Sequence, residues 1–275
     1  MSGARRWLGY LTLVVLFAVV CGLLSWWQFA RNDEAAERIR QIEDNWDAAP
    51  RPLDEVLASP RAGFDPADTW TPVELSGEYL AGSTLLVRNR PRDGRPGFEV
   101  LVPFRLADGG IVIVDRGWLP VGERQAERPD VVPPPPAGAQ TIVVRLRAGE
   151  PAVPGRSAPA GQVATIELPR IAELLGDEVY TGAFGLLASE PDSADEDRPA
   201  LADRPAADPG PHLSYAVQWI LFAVMAAAAL VWAVWNERRV RRLSAEEREA
   251  MRASAARRRA RRDVDATAED ALLDA

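Results

Sequence analysis

His212 is the only histidine in the chain, and it opens the uncharged run "GPHLSYAVQWILFAVM". Imidazole is the side chain that most readily moves a proton or binds a metal near neutral pH. With His212 set at zero on a helix of about 100° per residue, Trp219 falls at about 340°, Tyr215 at about 300° and Gln218 at about 240°. Leu213, Ala216, Val217 and Ile220 fill the opposite arc. A polar side chain in hydrocarbon is costly unless partnered, so the polar-aromatic face should meet protein, cofactor or water.

Two further groups could carry chemistry or contacts. Gln28 sits near the end of an earlier uncharged run, at a depth comparable with Gln218, and the two amides could hold a helix pair together. Arg116, Gly117 and Trp118 follow the apolar "IVIV" at 111–114. They form either a strand-end turn whose tryptophan caps the core or a contact site, since arginine can pair a carboxylate bidentately.

Other chemistry has little support. Cys21 is the single cysteine, and neither Cys nor His occurs between residues 31 and 210. A disulfide, a structural zinc site or copper delivery by a thiol pair in that region is thereby disfavoured. No "GxSxG" nucleophile elbow is present, and "RDGRPG" and "ADGG" lack the strand-to-helix context of phosphate loops. The expectation is a protein that is not an enzyme.

The elements that must position these groups begin with two charge-free stretches, Trp7 to Ala30 and Pro211 to Asn236. Each exceeds the roughly 20 residues a helix needs to cross a bilayer. "SWWQFAR" at the end of the first suits a membrane interface and an uncleaved anchor rather than a signal peptide. Arg5 and Arg6 precede the first span, and Arg238, Arg239, Arg241 and Arg242 follow the second, so both termini should be cytoplasmic. Residues 31–210 hold 19 arginines against 31 Asp plus Glu, a balance of −12. Such a loop suits translocation and does not suit nucleic acid, whose phosphates demand the opposite sign. All 32 basic residues are arginine, which a GC-rich coding bias explains, and a bacterial plasma membrane is the expected home.

The expected fold is a membrane protein in which two transmembrane α-helices flank one β-rich, mainly antiparallel α+β extracytoplasmic domain. Its divisions are a cytoplasmic N-terminus at 1–6, spans at 7–30 and 211–236, the outer domain at 31–210 and an arginine-rich cytoplasmic tail at 237–275. The outer core should cover about 60–189. A polar helical stretch leads from the first span to the prolines of "PRP", and a short helix is expected at 53–57. Strand-like runs occupy 69–80, 83–91, 97–106, 110–120, 140–149, 162–168 and 178–189, with a short helix near 169–175. "AGS", "RDGRPG" and "ADGG" read as hairpin turns. Four prolines make 128–138 a loop, and the acidic, proline-rich 190–210 should be a flexible tether. In the tail, Ser244 with Glu247 resembles a capping box at the start of a solvated helix near anionic lipid.

Three motifs in order then stop being generic: "WWQFAR", then "GEYL" with "LLVRNRPRDGRPGFEVLVPFRLADGGIVIVDRGWLP", then "HLSYAVQWILFA". Together they resemble the surfeit locus protein 1 family, assembly factors for haem-copper cytochrome oxidases, from about residue 20 to 235. The family's elements fall on Trp27, Gln28 and Arg31; on Gly77 and Tyr79; on Arg116, Gly117 and Trp118; and on His212, Tyr215, Ala216 and Trp219. Asp115 stands where many relatives have asparagine.

The resemblance implies a role in maturing oxidase subunit I around haem a insertion, with subunit I and the haem a synthesis and assembly proteins as partners. Two readings stay open for His212: an interfacial hydrogen bonder, or an axial ligand to haem iron with Tyr215 and Trp219 flanking the ring. One histidine supplies one axial position, so transiently bound haem a fits better than a permanent two-histidine cytochrome. Trp27, Gln28, Arg31, Arg116, Gly117, Trp118 and Gln218 are then candidate partner-binding or interhelical residues. The competing class is a two-span scaffold or sensor with an outward β domain and no haem role.

Overall fold

The computed structural model describes residues 3–176, 178–191, 198–242, 247 and 249–259. They fall into two compact units, Met1–Asp33 with Gly210–Ala275, and Glu34–Pro209. Ser244, half of the expected capping box, lies outside the described residues. Helix α1 runs from Gly3 to Trp46 without a break, so the first expected span is the apolar part of a longer helix.

The end of α1 is held within the second unit. Asn45 donates to the carbonyls of Ala67 and Thr69, both at 2.9 Å, and Gln41 donates to that of Pro66. Trp46 packs on Trp70 with centroids 5.4 Å apart. Arg145 covers the Trp46 ring at 4.2 Å and donates to the Trp46 carbonyl at 2.9 Å, satisfying an acceptor that the helix end leaves open.

The strands follow as β1 (Arg51–Pro52), β2 (Pro72–Tyr79), β3 (Leu85–Val87), β4 (Gly97–Leu106), β5 (Ile111–Pro120), β6 (Ala139–Ala148), β7 (Gln162–Val163) and β8 (Ala183–Ser189). Helix α2 (Leu168–Leu175) precedes β8, α3 (His212–Arg242) follows the sheet, and residues 249–259 of the tail are helical and exposed. Like α1, α3 is long and apolar enough to cross a membrane.

The sheet order is β1-β2-β6-β8-β5-β4-β3-β7, and β2 also pairs with β4. That extra pairing joins β2, β6, β8, β5 and β4 into a closed, barrel-like ring, which removes the edges an open sheet would expose. Along β4, the edge away from β5 serves β3 at Glu99–Leu101 and β2 at Phe104–Leu106. Pro103, which has no N–H to give, falls between those two pairings.

Alternation sorts the core. On β6, Ile142, Val144 and Leu146 are buried inside the ring while Val143, Arg145 and Arg147 are half-buried on the other face. β5 is buried on both faces: Val112 and Val114 join the ring interior, and Ile111 and Ile113 join a second cluster with Ile171 of α2. A strand covered on both sides reads as an uninterrupted apolar run, as "IVIV" does.

Several expectations need correction. "AGS" is a turn of 3-10 helix at Ala81–Ser83, and β2 and β3 do not pair. Residues 53–57 give only a 3-10 turn at Leu53–Glu55, and the expected strand at 162–168 shrinks to Gln162–Val163. The sheet is mainly antiparallel, but β1–β2, β3–β7 and β5–β8 are parallel. The tether is corrected most. Ala200 exchanges both backbone hydrogen bonds with Trp118, at 2.8 and 2.9 Å. Arg92 donates to the carbonyls of Ala200 and Leu201 and pairs with Asp203 at 2.7 Å, and Arg204 pairs with Asp47 at 2.6 Å. Residues 198–204 are a strap tied to the sheet, because ladder hydrogen bonds and ion pairs offset the ordering cost that the proline-rich composition suggested would prevail.

Glu190, directly after β8, starts this return path. Its side chain is 0% exposed and pairs at 2.6 Å with Arg116, itself 1% exposed. Removing one partner of such a pair leaves a buried charge and costs about 3–5 kcal/mol. Glu190→Gln should therefore lower stability on that scale. The double change Arg116→Met with Glu190→Met should cost less than the two single changes together. Urea unfolding of the detergent-solubilised chain, followed by tryptophan fluorescence, measures both, and additive costs would contradict the coupling.

Candidate functional site

Two groups of side chains carry the sequence-level candidates, one in each unit. In the helix pair, His212 Nδ1 lies 2.9 Å from Gln28 Oε1. An amide oxygen in that orientation has no proton to give, so Nδ1–H donates; in the neutral tautomer the lone pair is then on Nε2. The ring is half-buried. A Cβ added to Gly210, whose φ is +68°, would lie 3.5 Å from Nε2 and Cδ2. The positive φ suits glycine there.

Small residues bring the helices together one turn deeper. Ser25 donates to the Ala216 carbonyl at 3.0 Å, and Cys21 and Ala216 are fully buried. The close approach needs small side chains, as in membrane helix pairs generally. This geometry revises the expected faces. Ala216, placed on the aliphatic arc, is the contact residue, and Gln28 pairs with His212 while Gln218 is exposed. The expected Gln28–Gln218 pair does not form. Tyr215 is exposed, and Trp219 stands edge-on to Phe222 with centroids 5.8 Å apart. Trp27 is exposed, with the Arg31 guanidinium 5.9 Å from its ring. His212 and Gln28 are the two that the structure brings together.

In the β domain, a bulge shapes the Arg-Gly-Trp segment. Glu99 pairs with Trp118 and Leu101 with Asp115, so Arg116 and Gly117 together face the single residue Val100. The extra residue re-aims the side chains. Arg116 points to the ring interior: Nη2 and Nε donate to Glu190 at 2.6 and 3.2 Å, Nη1 donates to the Pro133 carbonyl at 3.1 Å, and the guanidinium lies 5.5 Å from the Tyr79 ring. Arginine here pairs a carboxylate bidentately, as its chemistry suggested, but the carboxylate belongs to the same chain. The Tyr79 hydroxyl donates to Glu190 at 2.9 Å, and burial followed by the adjacent carboxylate pushes its pKa up.

Gly117 has φ +132°, and a Cβ there would come within 2.5 Å of the Ala200 carbonyl. Only glycine lets the strap approach so closely. Trp118 Nε1 donates to the Arg90 carbonyl at 2.7 Å, and its ring lies against Gly97, where any Cβ would overlap the indole. The tryptophan caps the sheet end and pairs with the strap at once.

Sequence reasoning missed the charged cluster beside this turn. Arg90 lies 2.8 Å from Glu99 and 2.5 Å from Glu150, and Glu150 also accepts the Ile166 N–H at 2.9 Å. Asp115 is 3% exposed and accepts the Gly117 N–H at 2.9 Å. A cavity of about 300 Å³ opens on Arg90, Glu99, Asp115 and Trp118, with Ala200 and Asp203 of the strap on its wall. Among the described residues no three His, Cys, Asp or Glu side chains could hold a metal ion. The network's chemistry is proton and charge balance. Alternation placing Asp115 opposite Arg116 was the one available signal.

Burial, then the Glu99 charge, pushes the Asp115 carboxyl well up, while Gly117, Arg90 and Arg147 pull it back. Burial also raises Glu99. Glu150 ends below the usual range because the Arg90 and Ile166 hydrogen bonds outweigh its burial. For Asp115 the folded pKa lies above the unfolded value of about 3.9, so stability from the protonated form is complete below that value. It is lost as pH rises through the folded pKa. Asp115→Asn keeps the acceptor for Gly117 and cannot ionise. It should raise stability at neutral pH and flatten the fall with rising pH, read from denaturant midpoints across pH 4 to 8. An unchanged slope would show that Asp115 does not titrate there.

The profile of the SURF1 family matches residues 15–224. An "uncharacterized SURF1-like protein" of Mycobacterium bovis is 32% identical over 247 residues, covering 86% of this chain and 86% of its own. One from Mycobacterium tuberculosis matches with the same identity and coverage. A "SURF1-like protein" of Dictyostelium discoideum is 27% identical over 110 residues, 38% of this chain and 41% of its own. The match begins inside α1, runs through the whole sheet and ends inside α3, and the chain belongs to the SURF1 family, a family of cytochrome oxidase assembly factors.

Proposed function

We propose that this protein is a bacterial plasma-membrane factor that assists haem a insertion into, or stabilisation of, subunit I of a haem-copper cytochrome c oxidase. The observation that carries the haem part of this reading is the hydrogen bond from His212 Nδ1 to Gln28. It sets the tautomer and leaves Nε2 with the lone pair that a metal needs, the role that orienting partners play for ligating histidines. In this reading His212 would hold the iron, with Tyr215 and Trp219 beside the ring. Haem a in this scheme is cargo, and its iron chemistry is exercised in the oxidase. A single imidazole suits a cargo that must leave.

The membrane part rests on the two long apolar helices and their arginine-rich outer flanks. By the positive-inside rule both termini are cytoplasmic and the β domain is extracytoplasmic. Partners follow from the role: subunit I and the proteins that make and deliver haem a. A two-span scaffold without haem is the second reading. It is favoured by one observation, that Arg116 meets Glu190 inside the chain and not the carboxylate of a ligand.

Deleting the gene should lower mature haem-copper oxidase while oxidase transcripts stay level, and normal oxidase haem content would count against the assembly role. In chain purified from cells making haem a, His212→Ala should abolish the haem absorbance while the protein stays folded. Absorbance retained in that variant would move the ligand away from His212, whereas a wild-type chain without haem absorbance, with assembly intact in His212→Asn, would leave the scaffold reading standing.

Orientation has its own test. Cysteines placed at Ser83 and Ala253, in a chain carrying Cys21→Ser, should label from opposite sides of the membrane in cells and spheroplasts. Labelling from one side would overturn the two-span arrangement.

A further inference from the structure

The opposite end of the helix pair holds a feature that haem delivery does not use. Near the chain's first residues, α1 and α3 part around a cleft of about 670 Å³. Leu8 and Leu11 of α1 face Leu230 and Val234 of α3 across it, and Arg238 and Arg241 stand at its rim. The volume lies within the roughly 300–1,000 Å³ typical of sites that enclose a small molecule. An apolar cleft that opens into a bilayer is filled by hydrocarbon rather than water.

The rim selects the headgroup. Arg6 forks onto Glu237 across the helix pair at 2.8 and 2.9 Å, and Arg241 reaches the same carboxylate at 2.5 Å. One carboxylate thus shares its single negative charge between two guanidinium groups, which leaves the rim net positive. Arg238 makes no ion pair among the described residues. A zwitterionic headgroup would bring an ammonium to a rim with excess positive charge, whereas a net anionic phosphate would neutralise it. Trp7 adds an interfacial ring on the same wall, with the Arg6 guanidinium 5.8 Å from its centroid.

We propose that this cleft is a binding site for one anionic phospholipid, its acyl chain between Leu8, Leu11, Leu230 and Val234 and its phosphate on Arg238 and Arg241. The site rests on the reading that both helices span the bilayer with their arginine-rich ends at one face. The lipid completes the helix pair where side chains leave a gap, and it would require the protein to work in a membrane containing anionic lipid.

The test uses full-length chain purified in mild detergent from membranes containing phosphatidylethanolamine and phosphatidylglycerol, examined by native mass spectrometry. One phosphatidylglycerol or cardiolipin should stay bound per chain. Removing Arg238 and Arg241 together as Arg238→Gln with Arg241→Gln should cut retention by about five-fold for each arginine. The charge-matched pair Arg5→Gln with Arg239→Gln, outside the cleft, should retain the lipid. Leu11→Trp, which fills the cleft without altering charge, should lose it.

Equal loss in both arginine pairs would reduce the effect to diffuse surface charge and overturn the site. Retention of phosphatidylethanolamine in preference would do the same. So would a photo-crosslinker at Val234 capturing a protein helix and no lipid, which would make the cleft a subunit contact. Alkaline carbonate extraction of the same membranes separates the two failures. Chain that stays in the pellet without bound anionic lipid defeats the site alone, and chain released to the supernatant defeats the spanning reading beneath it.

Discussion

The pair of Arg116 and Glu190 is the constraint on which the arrangement of the β domain depends. Taking a guanidinium and a carboxylate out of water costs several kcal/mol for each ion, so neither can be buried without the other in good geometry. Three strands must agree to supply that geometry. β5 has to bulge so that Arg116 turns inward, β8 has to end where Glu190 meets it, and β2 has to bring the Tyr79 hydroxyl to the remaining carboxylate lone pair. The same three strands belong to the closed ring. The ion pair therefore fixes registry at one end of the barrel, in a way that interchangeable aliphatic contacts would not.

Its second consequence is the course of the chain beyond β8. After Glu190, Ala200 pairs through both backbone hydrogen bonds with Trp118 of β5. Gly117 permits that approach and Trp118 completes it, so each member of Arg-Gly-Trp contributes to one clasp. Arginine anchors the start of the return, glycine admits the backbone and tryptophan bonds to it. A strap stitched by Arg92 and Arg204 to Asp203 and Asp47 is the outcome, where composition alone suggested a disordered link.

What the sequence made legible follows the range of the interactions involved. Local patterns read well. The alternation of β6 placed Ile142, Val144 and Leu146 inward, and "RDGR" forms a two-residue turn with Asp93 at φ 50° and Gly94 at φ 74°, the geometry that Asp-Gly favours. The bounds of β4 fell where glycine and the turn residues put them. Pairings between distant segments read poorly. Nothing in "AGS" announces that β2 turns away to pair with β6, and the parallel contact of β5 with β8 joins segments separated by β6, β7 and α2. The strap was hidden for a related reason: prolines and acids signal disorder only while no partner is known, and its partners Asp47, Arg92 and Trp118 are far away in sequence. At the helix pair, the wheel found the special position of His212, yet a wheel describes one helix. It could not reveal that Gln28 would take the imidazole or that Ala216 would be the contact residue.

The two motifs of the family consequently divide along physical lines. Arg-Gly-Trp spends its polar groups inside the fold: the guanidinium on Glu190 and Pro133, the indole N–H on Arg90, the backbone on Ala200. Little of it is left to meet a ligand, and its strong sequence signature reflects the number of contacts that each residue must satisfy at once. The His212 motif is the reverse. Its one internal bond, to Gln28, orients the ring instead of consuming it, while Tyr215 and Trp27 remain exposed beside it. Nδ1 is committed to Gln28, and the ring as a whole stays half-buried.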